Sequence, residues 1–165
     1  MRQAVMVSPG EIKIHEIPKP EALGAKEVLL KIQRIGICGS DIHVFHGEHP
    51  ATPYPVVQGH EYSAVIKEVG KGVVKAKPGM KATARPQLVC GQCGPCERGQ
   101  YNACQKLKVQ GFQAPGVAQD YFVVTEDRLV LLPDSFSFEQ GAMIEPAAVG
   151  AHSTSRTSGI EGRNV

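Results

Sequence analysis

Four of the chain's five cysteines fall within one short stretch, as C-x2-C-x2-C-x7-C at Cys90, Cys93, Cys96 and Cys104. No other feature restricts the fold as much. A zinc ion takes four thiolates at tetrahedral corners, and two-residue gaps let a tight loop aim successive sulfurs at one point while a longer return supplies the fourth. Gly91, Gly94, Pro95 and Gly99 supply the bends. A bacterial iron–sulfur run would place three residues before a cysteine followed by proline, whereas seven residues precede Cys104 here and Gln105 follows it. Two disulfides fit poorly with an odd cysteine count and with an amino terminus that has no signal-peptide character. A structural zinc lobe at about residues 86–107 is therefore expected, and Cys38 needs its own explanation.

With 165 residues, the chain holds one domain with a sizeable core. At 42% hydrophobic and 21% charged residues it has the composition of an ordinary globular protein. A net charge of +2 leaves no electrostatic footprint for nucleic acid or an anionic membrane, and no run approaches the ~18 apolar residues of a membrane span. Lys75, Lys77 and Lys81 read as a solvated face, as do Lys106 and Lys108. A cytoplasmic protein is expected.

Short strands punctuated by glycine and proline fill most of the chain. Gln3–Val7 and Glu11–Ile17 flank the turn Ser8-Pro9-Gly10 as a hairpin. Glu27–Ile37 alternates, with Val28, Leu30 and Ile32 on one face and Leu29 and Lys31 on the other. Tyr62–Val69, Lys81–Ala84, Asp120–Thr125 and Leu129–Leu132 are further strands. The pattern predicts a mainly β barrel or sandwich, with two short carboxy-terminal helices over Ser137–Met143 and Ala147–Ser155.

Two other stretches carry chemistry. Cys38-Gly39-Ser40-Asp41-Ile42-His43 places a thiol, a hydroxyl, a carboxylate and an imidazole at the end of a long strand, and Gly59-His60-Glu61 leads into another. Cys38 alone reads as a small buried hydrophobe and His60 as a hydrogen-bonded turn histidine. Together, thiolate, imidazole and carboxylate make the mixed ligand set of a catalytic zinc with an open position.

These motifs, with Glu145-Pro146-Ala147 downstream, resemble the zinc-dependent medium-chain alcohol dehydrogenases, and within them the sorbitol and threonine dehydrogenase branch. The signature G-H-E-x2-G-x5-G-x2-V is met at Gly59, His60, Glu61, Gly70 and Val73, with Ala64 in place of its middle glycine. A second departure is Gly79-Met80-Lys81-Ala82, where the family commonly reads Gly-Asp-Arg-Val. The cysteine lobe matches fully, and the similarity spans roughly residues 3–165.

The resemblance implies a GroES-like, partly open β-barrel catalytic domain followed by a Rossmann domain that binds NAD or NADP. No strand followed by G-x-G-x-x-G occurs here, so residues 1–165 are expected to be the catalytic part, with Gly162–Val165 as the entry to the first Rossmann strand. Ile160-Glu161-Gly162-Arg163 also matches a protease site by coincidence. By the same resemblance Cys38 and His60 are catalytic-zinc ligands, Glu61 and Glu145 compete for the carboxylate position, and Asp41 orients the ring of His60. Ser40 and His43 would form a proton relay, because hydride leaves an alcohol carbon readily only after the hydroxyl proton has gone. Phe45 and His46 are candidates for the substrate pocket, with Phe45 equally readable as core; His15, His49 and His152 read as non-functional.

The implied activity is hydride transfer from a polyol or secondary alcohol, sorbitol-like or L-threonine, to NAD(P) by a homo-oligomer carrying two zincs per chain, with the chain alone inactive. Two other classes are weaker. A zinc-stabilised GroES-like binding module has no use for a second, open metal site, and a zinc-ribbon nucleic-acid binder would want two answering C-x2-C pairs and a basic face.

Overall fold

The computed structural model describes residues 1–157, together with Gly159 and Gly162. The sequence features assigned to Ile160–Arg163 and Gly162–Val165 thus fall outside the described residues, Gly162 apart. An antiparallel hairpin opens the chain, β1 (Arg2–Ser8) against β2 (Glu11–Glu16), with Val5 opposite Lys13. A five-stranded antiparallel sheet follows, in the order β8-β3-β4-β5-β9, from β3 (Glu27–Ile35), β4 (Tyr62–Val69), β5 (Lys81–Ala84), β8 (Tyr121–Thr125) and β9 (Leu129–Leu131). A ribbon of β6 (Gln87–Leu88) and β7 (Lys108–Val109) completes the strands. No closed barrel forms among the described residues; the fold is an open five-stranded sheet flanked by two two-stranded ribbons, in keeping with the expected mainly β, partly open architecture.

Helices sit at the edges of this framework. They are α1 (Gly39–Phe45), a single-turn α2 (Gly94–Glu97), α3 (Phe138–Ala142) and α4 (Ile144–Ser155). Ser137 caps α3 reciprocally: its hydroxyl accepts from the Gln140 N–H at 3.1 Å, and Gln140 Oε1 accepts from the Ser137 N–H at 2.8 Å. The chemistry-bearing stretch after β3, to which the sequence pattern assigned no helix, forms α1, with Asp41 accepting from the N–H of Cys38 at its start.

Two cores hold the sheet and α1. Val28, Leu30, Tyr62, Ala64, Ile66, Ala82 and Val124 form the larger, each side chain of leucine size adding ~1.5–3 kcal/mol on burial. Met6, Val44, Val56 and Phe112 form the smaller, which clamps α1 between the hairpin and the segment after β7. Simple alternation along β3 breaks at Leu29, which is as fully buried as its neighbours. Ala64 sits in the larger core, opposite Ile32 and Ala82, so its methyl group is accommodated as packing. Lys81, at the second departure from the family pattern, ties β5 to the approach to α3 by donating to the carbonyls of Asp134 and Phe136 at 2.8 and 2.6 Å. No helix is long and apolar enough to cross a membrane among the described residues.

Candidate metal centres

The cysteine lobe hangs from the β6–β7 ribbon, where Gln87 pairs with Val109 and Leu88 with Lys108. Cys93 caps α2, and Pro95 sits in the first turn, where a missing N–H costs nothing. Cys104 follows a 3-10 turn at Tyr101–Ala103. All cysteines are free thiols, which removes the disulfide alternative. The sulfurs of Cys90, Cys93, Cys96 and Cys104 all lie within 4.8 Å of one another. Cys90 and Cys104 are 3.6 Å apart, near the edge of about 3.8 Å that ~2.3 Å zinc–sulfur bonds give a tetrahedron.

Main-chain donors prepare the sulfurs for charge. The N–H groups of Cys90 and Lys106 donate to Cys104 Sγ at 3.3 and 3.4 Å, and the Cys104 thiol is held below its ordinary range, chiefly by the first of these. The N–H groups of Gln105 and Cys96 bring Cys93 down to about 6, while burial pushes Cys96 up to about 12. Four sulfurs this close cannot all be anionic without a cation between them. A zinc ion resolves that conflict, and this cluster could bind one.

The second cluster is assembled from separate segments. Cys38 ends the loop after β3, and His60 and Glu61 immediately precede β4. Gly59, at φ +95°, turns the chain into His60 in a conformation that favours glycine. Gly36 leaves room for Glu61 to fold back; a Cβ there would clash with Glu61 Oε2. As a result, the ligand atoms of Cys38, His60 and Glu61 lie within 4.8 Å of one another, with His60 5% and Glu61 8% exposed.

Two observations test whether these residues suit a divalent cation. His60 Nδ1 is buried without a hydrogen-bond partner, and no lysine or arginine pairs with Glu61 among the described residues. A carboxylate without a basic partner, set close to an imidazole and a thiol, concentrates electron-pair donors that a cation would satisfy. Thiolate, imidazole and carboxylate together are a zinc donor set.

Asp41 connects the two segments. Its Oδ2 accepts from the Cys38 N–H at 3.0 Å and its Oδ1 from Gln58 Nε2 at 3.2 Å. Oδ1 lies 3.8 Å from His60 Nδ1, an ion-pair distance rather than a hydrogen bond. Burial pushes the Asp41 carboxyl up, against the opposing pull of His60.

The other sequence-singled residues are placed less tightly. Ser40 and His43 lie one turn apart on α1, but no hydrogen bond joins them among the described residues; His43 is exposed, with Nδ1 3.1 Å from Glu48 Oε2. Glu145, in the first turn of α4, stands outside the close cluster. Burial raises its carboxyl, with His60 pulling it down and Glu61 pushing it further up, so it sits within electrostatic reach of both. Phe45 packs on the smaller core and also lines an apolar hollow of about 280 Å³ with Ile37, Asp41 and Ile42. Sequence reasoning missed Phe112, whose ring centroid lies 5.0 Å from that of His60 and 4.9 Å from that of His49. No motif marks it, because its neighbours come from other parts of the chain.

Comparison with known proteins identifies the family. The chain is 42% identical over 147 residues to D-arabitol-phosphate dehydrogenase of Enterococcus avium, covering 88% of this chain and 42% of that protein. It is 38% identical over 163 residues to sorbitol dehydrogenase of Bacillus subtilis (strain 168), covering 95% and 45%. The crystal structure of galactitol-1-phosphate dehydrogenase from Escherichia coli superposes with a TM-score of 0.85 at 36% identity, covering 93% of this chain and 44% of that one. The chain thus spans a little under half the length of these relatives. The family model for the alcohol dehydrogenase GroES-like domain matches residues 24–134, a stretch that carries both clusters, with Glu145 beyond it, and the chain belongs to that family.

Proposed function

We propose that this chain is the catalytic domain of a longer zinc-dependent oxidoreductase that transfers a hydride from a polyol or related secondary alcohol to NAD or NADP. The observation that carries this reading is the convergence of Cys38, His60 and Glu61 from two segments into one buried cluster. Relatives named for arabitol phosphate and sorbitol support a polyhydroxylated substrate. The Rossmann-type cofactor domain would lie outside residues 1–165, the protein would be cytoplasmic, and the full-length chain would be a homo-oligomer.

In this reading Cys38, His60 and one carboxylate hold a zinc, and Cys90, Cys93, Cys96 and Cys104 hold a second, structural one. When bound, the first ion acts as a Lewis acid that lowers the pKa of the substrate hydroxyl, as zinc lowers that of water from ~15.7 to near 7. The chain's own residues do the rest. Glu61 is the resting carboxylate ligand by proximity, and Glu145 is the second carboxylate available for exchange. Asp41 fixes Cys38 and the Gln58–Gly59 turn, and so holds both ligand segments in register. Ser40 would accept the hydroxyl proton as it gives its own to His43, which would release it to solvent, with Glu48 beside His43 Nδ1; that relay needs a Ser40–His43 hydrogen bond to form when substrate binds.

Zinc analysis of the full-length protein tests the reading. Two zincs per chain are expected, falling to one in Cys38→Ala, with polyol oxidation by NAD or NADP lost in that variant. Full turnover by Cys38→Ala would remove the zinc mechanism, and a fully metallated protein holding one zinc would remove the catalytic site. The second outcome would leave the zinc-stabilised binding module as the remaining reading.

A further inference from the structure

Beyond the metal ligands and the proposed proton relay, the segment between α1 and β4 carries a histidine held in an unusual way. His49 Nδ1 lies 2.7 Å from the Thr52 hydroxyl, and Thr52 is itself buried. The ring of His49 stacks on Phe112 at an interplanar angle of 27°, and the same Phe112 ring packs against His60 at 47°. One benzene ring therefore touches both a proposed metal ligand and a loop imidazole. The loop is pinned there: Gln113 Nε2 donates to the Ala51 carbonyl at 3.0 Å, Gln113 Oε1 accepts from the Val109 N–H at 3.0 Å, and the Tyr54 hydroxyl donates to the Val44 carbonyl. His49 Nε2 has no partner among the described residues, and His49 is only half-buried.

We propose that His49 is a specificity-determining residue that binds a substrate hydroxyl further along the carbon chain than the reacting one, with the buried Phe112 ring as the packing that fixes His49 relative to His60. This rests on reading the Cys38–His60–Glu61 cluster as the alcohol site. The fixed imidazole selects the ligand. A polyol presents further O–H groups that suit a fixed imidazole nitrogen, whereas a monohydroxy alcohol has none to offer it. Thr52 contributes by occupying Nδ1, so the ring presents Nε2 without losing rotational freedom on binding. The stack gives His49 a fixed position that a surface histidine lacks.

The test compares sorbitol with 2-butanol on full-length protein, for wild type, His49→Ala and His49→Gln, with zinc content measured for each. Loss of one hydrogen bond to a hydroxyl predicts a rise of about tenfold in KM for sorbitol in His49→Ala, with kcat changed by less than about threefold. Oxidation of 2-butanol should change by less than about twofold, and His49→Gln, which keeps a donor, should recover most of the loss. Calorimetric binding of sorbitol to the zinc-loaded, cofactor-free protein should weaken by the same factor in His49→Ala. An equal loss with both alcohols, no change with sorbitol, or departure of a zinc in His49→Ala would overturn the assignment of His49 alone. A wild-type protein with two zincs and no turnover of any alcohol would overturn the oxidoreductase reading and this one together.

Discussion

The two metal clusters of this chain are built in opposite ways. In the lobe, all four ligands come from Cys90–Cys104, and their geometry is set by local turns and by N–H groups a few residues away. In the cleft, Cys38 is separated from His60 and Glu61 by α1 and a long loop, and the three meet only because the smaller core, Asp41 and Gly36 bring the segments together. The lobe has little core of its own, so a metal bound there would set its shape. The cleft has a hydrophobic framework around it that would hold a metal in place. A local motif can thus impose structure, whereas a dispersed one must inherit it.

The largest effect that separates them should come from Cys93→Ser. Metal binding at structural four-thiolate sites is worth ~10–16 kcal/mol in small zinc peptides, so loss of one ligand is expected to unfold residues 86–107. The expected outcome is one zinc fewer per chain and a lobe open to proteolysis, while β3, β4 and β5 keep their amide protection. Unfolding of the whole sheet in Cys93→Ser would break the comparison, by showing that the lobe supports the framework.

A smaller effect should appear on chelation. The cleft offers three ligands with an open position and the lobe four thiolates around a closed one, so a graded chelator should remove one zinc per chain well before the second. Activity of the full-length protein should vanish with the first zinc and the lobe should unfold with the second. Simultaneous loss would mean that the two sites are coupled despite their separate construction.

The same contrast explains what was legible in the sequence. The lobe could be read because its ligands are neighbours, and Tyr62–Val69 and Lys81–Ala84 because Gly59, Pro78 and Gly79 mark where those strands begin. Helix α1 could not, since Gly-Ser-Asp reads as a turn until Asp41 is seen to hold the Cys38 N–H. The β6–β7 ribbon, two residues a side, carries no periodicity to detect. Glu145 was named from the family pattern, but its position outside the cluster depends on how α4 leaves α3. Phe112 became visible only when His49 and His60 were found on the same ring.

The smallest effect is the sharpest test of how the cleft inherits its geometry. Asp41→Asn keeps the shape of a side chain whose Oδ2 accepts from the Cys38 N–H and whose Oδ1 accepts from Gln58 Nε2, but removes the negative charge facing His60 at 3.8 Å. An amide offers one oxygen where the carboxylate offers two, so one of the two tethers must weaken. Residues that orient metal ligands in this way change affinity by ~10–100-fold when altered, and the cleft zinc should weaken within that range. Among the described residues Asp41 has no hydrogen bond to the lobe, so the lobe's zinc and the unfolding of residues 86–107 should be unchanged. Competition with a chromogenic chelator reads both sites in one titration. Were Asp41→Asn to leave the cleft affinity unchanged, the smaller core alone would position Cys38 and His60, and Asp41 would serve only to start α1.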